Sequence, residues 1–149
     1  MWQIKKFNEF TDELYDIMRL RNSIFVVEQK RLYQELDDVD KRALHLFKTD
    51  NEGEIVAYAR IFLEDDGQTV SFGRIATSKK VRGQGIGGQL LDRIMDAIRT
   101  YFPQHPIEIE AQEYVQNFYK KAGFKTQGDV FIFNQTPHIK IVHEPLAVK

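Results

Sequence analysis

The stretch from Ser71 to Glu110 constrains the fold more than any other, because it reads strand, basic glycine-rich turn, long amphipathic helix, strand. The first strand is expected over Thr69 to Thr77. The turn is Ser78-Lys79-Lys80-Val81-Arg82-Gly83-Gln84-Gly85-Ile86-Gly87-Gly88. A helical pattern runs from about Gly85 to Tyr101, Pro103 stops it, and a second strand follows over Ile107 to Ala111. Two strands joined by such a crossover should lie parallel, with a right-handed connection. The first N–H groups of a helix lack intrahelical partners and sit at the positive end of its dipole. A glycine-rich helix start therefore suits an anion, phosphate above all. Gly83, Gly85, Gly87 and Gly88 remove side chains that would hold a phosphate away, and Lys79, Lys80 and Arg82 add positive charge. The alternative is a solvated flexible turn. Four glycines in six residues, behind three cations, weigh against it.

The rest of the chain is expected to frame this unit as one domain over residues 1–149. Trp2 to Phe7 alternates weakly and reads as a strand. Asn8 or Thr11 can cap a helix in which Leu14, Ile17, Met18, Arg21, Ile24 and Phe25 share a period. Phe25-Val26-Val27 then reads as briefly extended or buried. Gln29 to Arg42 is polar, with Glu35, Asp37, Asp38 and Asp40 clustered. It lacks the glycine and terminal glutamate of a calcium loop, and reads either as a solvated loop or short helix or as a wall for a cationic substrate. Ala43 to Thr49, Glu54 to Leu63 and Thr69 to Thr77 should form an antiparallel meander through turns at Asn51-Glu52-Gly53 and Asp65-Asp66-Gly67. On the central helix Ile86, Leu90, Leu91, Ile94, Met95, Ile98 and Phe102 form one stripe, and Gln89, Asp92, Arg93, Asp96 and Arg99 the other face. A last helix over Glu113 to Ala122 should end at Gly123 as a left-handed cap, with Phe124 anchored on the core. Lys125 to Phe133 and Pro137 to His143 read as a hairpin around Asn134-Gln135-Thr136. The result is an α/β fold around a mixed sheet.

Composition narrows the function. The net charge of -1 implies no bulk attraction to nucleic acid or an anionic membrane. No cysteine is present, which excludes disulfides, thiolate-ligated zinc and a thiol nucleophile and fits a reducing cytoplasm. No apolar run approaches the roughly 20 residues of a membrane span. The first ten residues lack the apolar region of a signal peptide. The four histidines show no metal spacing.

Two phosphate-binding families fail on context. The nucleotide-hydrolase loop needs Lys followed by Ser or Thr after its last glycine, whereas Gly88 is followed by Gln89-Leu90. Gly83-x-Gly85-x-x-Gly88 matches the dinucleotide fingerprint literally. It stands five residues after its strand, however, and behind a meander.

A third family fits. Arg82-Gly83-Gln84-Gly85-Ile86-Gly87 resembles the (Q/R)-x-x-G-x-(G/A) signature of the GNAT superfamily of N-acetyltransferases. Tyr119-Lys120-Lys121-Ala122-Gly123-Phe124 is similar to its Y-x-x-x-G-F ending. The resemblance covers nearly the whole chain, including the strand order. Arg21-Asn22-x-x-Phe25-Val26-Val27-Glu28-Gln29, Glu35-Leu36-Asp37 and Pro137-His138-Ile139 further resemble the ElaA-like branch. The resemblance implies a GNAT-like mixed sheet with an antiparallel N-terminal meander, a β-α-β acetyl-CoA crossover and helices on both faces. It implies acetyl-CoA as co-substrate, with its diphosphate on amides of Arg82, Gly83, Gln84, Gly85, Ile86, Gly87 and Gly88. The pantetheine arm would add beside Ile75, Ala76 and Thr77, where the parallel strands splay apart. Tyr119 stands where the family often places the acid for the departing thiolate. Many members carry asparagine seven residues before that tyrosine; here Gln112 takes its place, and Asn117 is a second candidate for the contact.

Acyl transfer needs a held thioester, an oxyanion donor, a neutral amine and an acid for sulfur. Without cysteine, direct attack by the amine is the simplest route. A backbone N–H near Ile75 or Ala76 can support the oxyanion. Presenting a lysine-like amine neutral at pH 7 costs roughly 4–5 kcal/mol, so a base is expected. Glu110 and Glu108 are candidates, and Glu35, Asp37, His45 and His138 are candidates for the acceptor side. The expected function is therefore transfer of an acetyl group from acetyl-CoA to a small-molecule or peptide amine. No metal, nucleic acid or membrane is expected, and a homodimer follows by family analogy. The rival reading is an acyl-CoA-binding sensor or interaction module without turnover.

Overall fold

The computed structural model describes residues 1–133 and 135–148. The chain forms two compact units, Met1–Phe62 with Phe72–Ala97, and Leu63–Ser71 with Ile98–Lys149. Among the described residues seven strands are hydrogen-bonded in one mixed sheet: β1 (Trp2–Lys6), β2 (Leu44–Thr49), β3 (Ile55–Leu63), β4 (Val70–Thr77), β5 (Ile107–Gln112), β6 (Lys125–Phe133) and β7 (Thr136–His143). Their order is β1-β2-β3-β4-β5-β7-β6. β2 and β3 pair antiparallel, the first junction of the expected meander, and β4 lies beside β3 as its third strand; β1 adds antiparallel to β2 at the other side. β4 and β5 pair parallel at Val70 and Ile107, as the crossover pattern requires. β7, not β6, lies beside β5, so the closing hairpin folds back and leaves β6 at the sheet edge. Asn134, expected in its turn, lies outside the described residues.

In the first unit, α1 (Glu13–Arg21) passes directly into a π-helical segment, Asn22–Glu28. Of the two alternatives expected at Phe25-Val26-Val27, extended or buried, the extended one is corrected to a wide helical turn, while Phe25 is buried. The apolar residues Ile24 and Phe25 stay on the core side of that turn. Neither expected cap occupies the N-cap position: Asn8 falls in a short 3-10 turn, Asp12 precedes α1, and Thr11 donates its hydroxyl proton to Glu13 at 2.6 Å. Ile17, Ile24, Phe25, Phe47, Ile55, Tyr58 and Ala76 form a buried cluster, with Phe10, Leu20 and Tyr33 packed against it. A short helix, α2 (Val39–Arg42), precedes β2, and the crossover helix α3 (Ile86–Tyr101) buries Ile86, Leu90, Leu91, Ile94, Ala97 and Ile98. Its polar residues Gln89, Asp92, Arg93 and Asp96 are exposed. Each aliphatic side chain so buried contributes about 1.5–3 kcal/mol, which is how this stripe fixes the helix and its first turn.

In the second unit, Ile107, Ile109 and Ala111 are buried on one face of β5, while Glu108, Glu110 and Gln112 alternate onto the other. The expected helix over Glu113 to Ala122 is shorter: a 3-10 turn, Glu113–Val115, leads into α4 (Gln116–Lys120). Gly123 ends it with φ 92°, where only glycine is unstrained, and a Cβ there would lie 3.0 Å from the His143 ring. Phe124 is 2% exposed and meets Tyr119 and His143 edge-on, the anchor expected of it. No helix among the described residues is long and apolar enough to cross a membrane.

Candidate active site

The site begins at the mouth of α3. A single 3-10 turn, Lys79–Val81, leaves Arg82 extended, and Gly83 and Gly85 then adopt left-handed φ values of 81° and 77°. Any other residue would pay roughly 1–2 kcal/mol for each such position. The first intrahelical bond runs from Gln89 N to the Gly85 carbonyl at 3.2 Å. The N–H groups of Ile86, Gly87 and Gly88 therefore precede any helical acceptor. A Cβ built on Gly83, Gly85, Gly87 or Gly88 would meet no heavy atom within 4 Å. The loop presents amides and open space, which fits a diphosphate resting on backbone.

The side chains around the loop differ from expectation. Arg82 donates to Glu28 at 2.5 and 3.2 Å and to the Thr77 carbonyl at 3.2 and 3.0 Å. Lys80 pairs with Glu54 at 2.5 Å and Asp50 at 3.1 Å. The Gln84 amide donates to the Lys80 carbonyl at 3.2 Å. Two of the three cations expected to bring charge to a phosphate are thus paired with carboxylates, and Arg82 acts instead as a brace between the π-helical segment and the end of β4.

β4 carries Ile75, Ala76 and Thr77 toward this loop. Ala76 is 1% exposed, and Ile75 and Thr77 are half-buried. The strand contains a feature invisible in the sequence: Arg74 has φ 51°. A left-handed non-glycine residue costs roughly 1–3 kcal/mol and needs surroundings that hold it. Here Arg74 donates to the Glu35 carbonyl at 2.9 Å and to Asp37 at 3.4 Å, and its guanidinium lies 5.6 Å from the centre of the Tyr33 ring. Its Nε is 3.2 Å from Glu35 Oε1, close enough for an ion pair but off the line of a hydrogen bond.

The acidic segment holds the short helix that is one expectation for it, α2, but its carboxylates Glu35 and Asp40 are buried, neither solvated nor part of an open wall. Arg21 is 0% exposed and donates from Nε to Glu35 at 2.6 Å and from its terminal nitrogens to Asp40 at 2.7 and 3.2 Å. Arg60 forks onto Asp37 at 2.6 and 3.0 Å and reaches Asp40 at 2.9 Å. Burial alone would raise the Asp40 pKa, but hydrogen bonds and charge from Arg21 and Arg60 outweigh it and hold the carboxyl below its ordinary range. Asp37 is lowered by the same competition, with Arg60 its main partner. His45 is 0% exposed. Its Nε2 donates to the Asp40 carbonyl at 2.8 Å, which leaves Nδ1 to accept the Tyr58 hydroxyl at 2.6 Å. Burial lowers the His45 pKa and raises that of Tyr58, so both are neutral near pH 7. Glu35, Asp37 and His45, expected toward an acceptor, are thus gathered into one ion cluster, and a ligand would have to displace arginines or a core tyrosine to reach Glu35 or His45. Only Asp37 keeps appreciable exposure, 34% of its side chain.

In the second unit, Glu110 is exposed on β5 opposite Lys140 of β7. Glu108 lies 3.9 Å from the Lys140 ammonium. Gln112 closes β5 opposite His138. His138 is buried, donates Nδ1–H to the Thr136 carbonyl at 2.7 Å and has ring-centre distances of 6.0 Å to Phe131 and 5.5 Å to Phe133. Asn117 is exposed on α4, and Tyr119 on the same helix is 7% exposed against Phe118 and Phe124. Burial raises the Tyr119 pKa to about 12. Among the described residues no group of three or more His, Asp or Glu side chains could hold a metal.

Sequence reasoning missed Arg74, the Glu28–Arg82 pair and the partners of Arg21. For Arg21 a signal existed: it occupies a position in the apolar stripe of α1, and an arginine there needs buried carboxylates.

Comparison with known proteins agrees with this architecture. Residues 13–144 match the family described as Acetyltransferase (GNAT) domain. Protein ElaA of Escherichia coli is 35% identical over 147 residues, spanning 96% of this chain and 95% of that protein. The crystal structure of Escherichia coli ElaA superposes with a TM-score of 0.90, covering 97% of this chain and 99% of that one at 34% identity. An acyl-CoA N-acyltransferase from Pseudomonas aeruginosa also gives a TM-score of 0.90, at 34% identity and over 96% and 98% of the two chains.

Proposed function

The chain belongs to the GNAT acetyltransferase family, in its ElaA-like branch, and from that premise we propose that it moves an acetyl group from acetyl-CoA to a primary amine by direct attack. Acyl transfer from acyl-CoA is the chemistry of the fold; acetyl as the group, an amine as the acceptor and residues 1–149 as one catalytic domain are our reading. The observation that carries it is the mouth of α3, where left-handed Gly83 and Gly85 and open space at four glycines precede N–H groups that no helical carbonyl takes.

The coenzyme supplies an acyl carbon activated as a thioester. Amides of residues 82–88 hold its diphosphate, and N–H groups of Ile75 or Ala76 take up the charge that gathers on the acyl oxygen. The C–N bond forms as the carbonyl π bond opens onto oxygen, and the C–S bond breaks as the carbonyl re-forms. Tyr119 gives its phenolic proton to sulfur, and the excess proton of the amine passes to Glu110, directly or through water. With a pKa of about 12 the Tyr119 phenol stays protonated through the neutral range. The phenol is a weaker acid than one in water, so the transfer depends on desolvation strengthening the thiolate as a base as well. Gln112 hydrogen-bonds the pantetheine arm in this reading, with Asn117 the second candidate for that contact.

Incubation with acetyl-CoA and a panel of amines, read as free thiol, tests the reading. Amine-dependent thiol release is expected. Tyr119→Phe should lower kcat by about a hundredfold while leaving coenzyme affinity unchanged. Tight coenzyme binding without release toward any amine would favour the sensor reading. An unchanged kcat and pH profile in Tyr119→Phe would remove the acid role.

A further inference from the structure

We infer that Arg74 is a positioning residue of the transfer reaction: its side chain, tied to the 33–37 segment, holds β4 in a left-handed kink that aims the following N–H groups at the acyl group. The inference rests on the acyl-transfer reading above and extends it to a residue outside the signature loop.

Four non-glycine residues among those described have positive φ: Lys30, Arg74, Gln104 and Gln135. Lys30, Gln104 and Gln135 lie in turns, whereas Arg74 lies inside a strand. Glycine adopts this conformation without strain. The chain has a glycine next door, yet Gly73 keeps an ordinary φ and the arginine takes the left-handed one. A strained backbone persists only when the surrounding structure over-determines it. A hold on the side chain is visible. The Arg74 guanidinium is bonded to the Glu35 carbonyl at 2.9 Å, lies 3.4 Å from Asp37 and stands over the Tyr33 ring. The two carboxylates are themselves fixed, Glu35 by Arg21 at 2.6 Å and Asp37 by Arg60 at 2.6 Å. The buried ion cluster therefore ends, through Arg74, on the backbone of β4.

The kink falls one residue before Ile75 and two before Ala76. In a regular strand successive N–H groups point alternately to the two neighbouring strands. A left-handed residue breaks that alternation, as in a β-bulge, and turns the next peptide units out of the ladder. Side-chain anchoring of residue 74 thus decides where the N–H groups assigned to the acyl oxygen point. Arg74 touches no reacting atom in this scheme. It sets the direction of donors that do.

The test compares wild type, Arg74→Ala and Arg74→Gly by backbone NMR and by steady-state kinetics with acetyl-CoA. Arg74→Ala removes the anchor and disfavours left-handed φ. Its residue-74 coupling constants and carbon shifts should report an extended conformation. Its kcat should fall at least tenfold, while coenzyme affinity, set by the loop before α3, stays within about threefold of wild type. Arg74→Gly permits the kink without an anchor and should recover part of the lost kcat. A purely structural role would instead lower stability without dividing kcat from coenzyme affinity, and glycine would not rescue it. The inference is overturned if residue 74 stays left-handed in Arg74→Ala, if the Arg74→Ala kcat lies within twofold of wild type, or if Arg74→Gly is no better than Arg74→Ala. Should Arg74→Ala fail to fold, Asp37→Asn, which weakens the anchor from its exposed side, must show a smaller kcat loss of the same kind, and no loss overturns the inference. A wild-type protein that is folded and binds coenzyme but acylates nothing sinks the acyl-transfer reading itself, an outcome distinct from a fully active Arg74→Ala.

Discussion

Two polar regions of the first unit solve opposite problems. The mouth of α3 meets charge with backbone: left-handed glycines, open space, and N–H groups ahead of the first helical bond. The cluster of Arg21, Glu35, Asp40 and Arg60 meets charge with side chains, each 5% exposed or less. In the proposed function the first receives an anion from outside. In the second, each charge already has a partner inside. The same electrostatic principle therefore yields the proposed binding site in one place and a structural clamp in the other, and the difference is whether the charges are already compensated.

The comparison breaks most visibly if one partner of the clamp is removed. Arg21→Ala leaves Glu35 and Asp40 buried without their main cation and should destabilise the fold by about 3–5 kcal/mol, measured by urea unfolding. Coenzyme affinity per folded molecule should hardly change. A loss near zero would mean that water already compensates the carboxylates. Gly88→Asp should do the reverse. A carboxylate at the first turn of α3 suits the helix dipole, so stability should move by less than about 0.5 kcal/mol. Coenzyme affinity should fall by about a hundredfold, because the new charge would face the diphosphate in the proposed site. Equal binding by calorimetry would place the anion elsewhere.

Acid should weaken the clamp in stages. The His45 pKa is lowered from its ordinary 6.5, so the unfolded chain takes up a proton first; that stability is complete above 6.5 and is lost as pH falls through the folded value. Asp37 and Asp40, lowered from 3.8, extend the loss below that pH. The urea midpoint should therefore decline below pH 6.5 and again below 3.8, and a midpoint flat from pH 7 to 5 would remove His45 from the account. The smallest effect belongs to Glu28→Gln. Releasing an exposed arginine from an exposed glutamate should alter coenzyme affinity by no more than about fivefold.

The two regions also differ in how far the sequence reveals them. The loop is local, written in consecutive residues from Arg82 to Gly88, and glycine spacing before an amphipathic stripe has few other physical meanings. The strands that flank it, the stop at Pro103 and the left-handed cap at Gly123 were legible for the same reason. The clamp joins residues 14 to 39 positions apart. Its acidic members look like surface until the arginines of α1 and β3 are known to face them. Glu35 and His45 therefore read from the sequence as candidates for the acceptor side, whereas burial makes them interior. The π-helical segment was missed because its apolar residues suit a strand as well as a wide turn. The kink at Arg74 had no signal, since nothing in arginine's chemistry announces positive φ.

The brace made by Arg82 has a consequence for solution behaviour. Because its guanidinium is already satisfied by Glu28 and the end of β4, an anion arriving at the neighbouring amides displaces few mobile counter-ions. Attraction of that kind is short-ranged and directional. Coenzyme capture should then respond only weakly to ionic strength, in contrast to the steep dependence of surfaces that collect phosphates with exposed lysines.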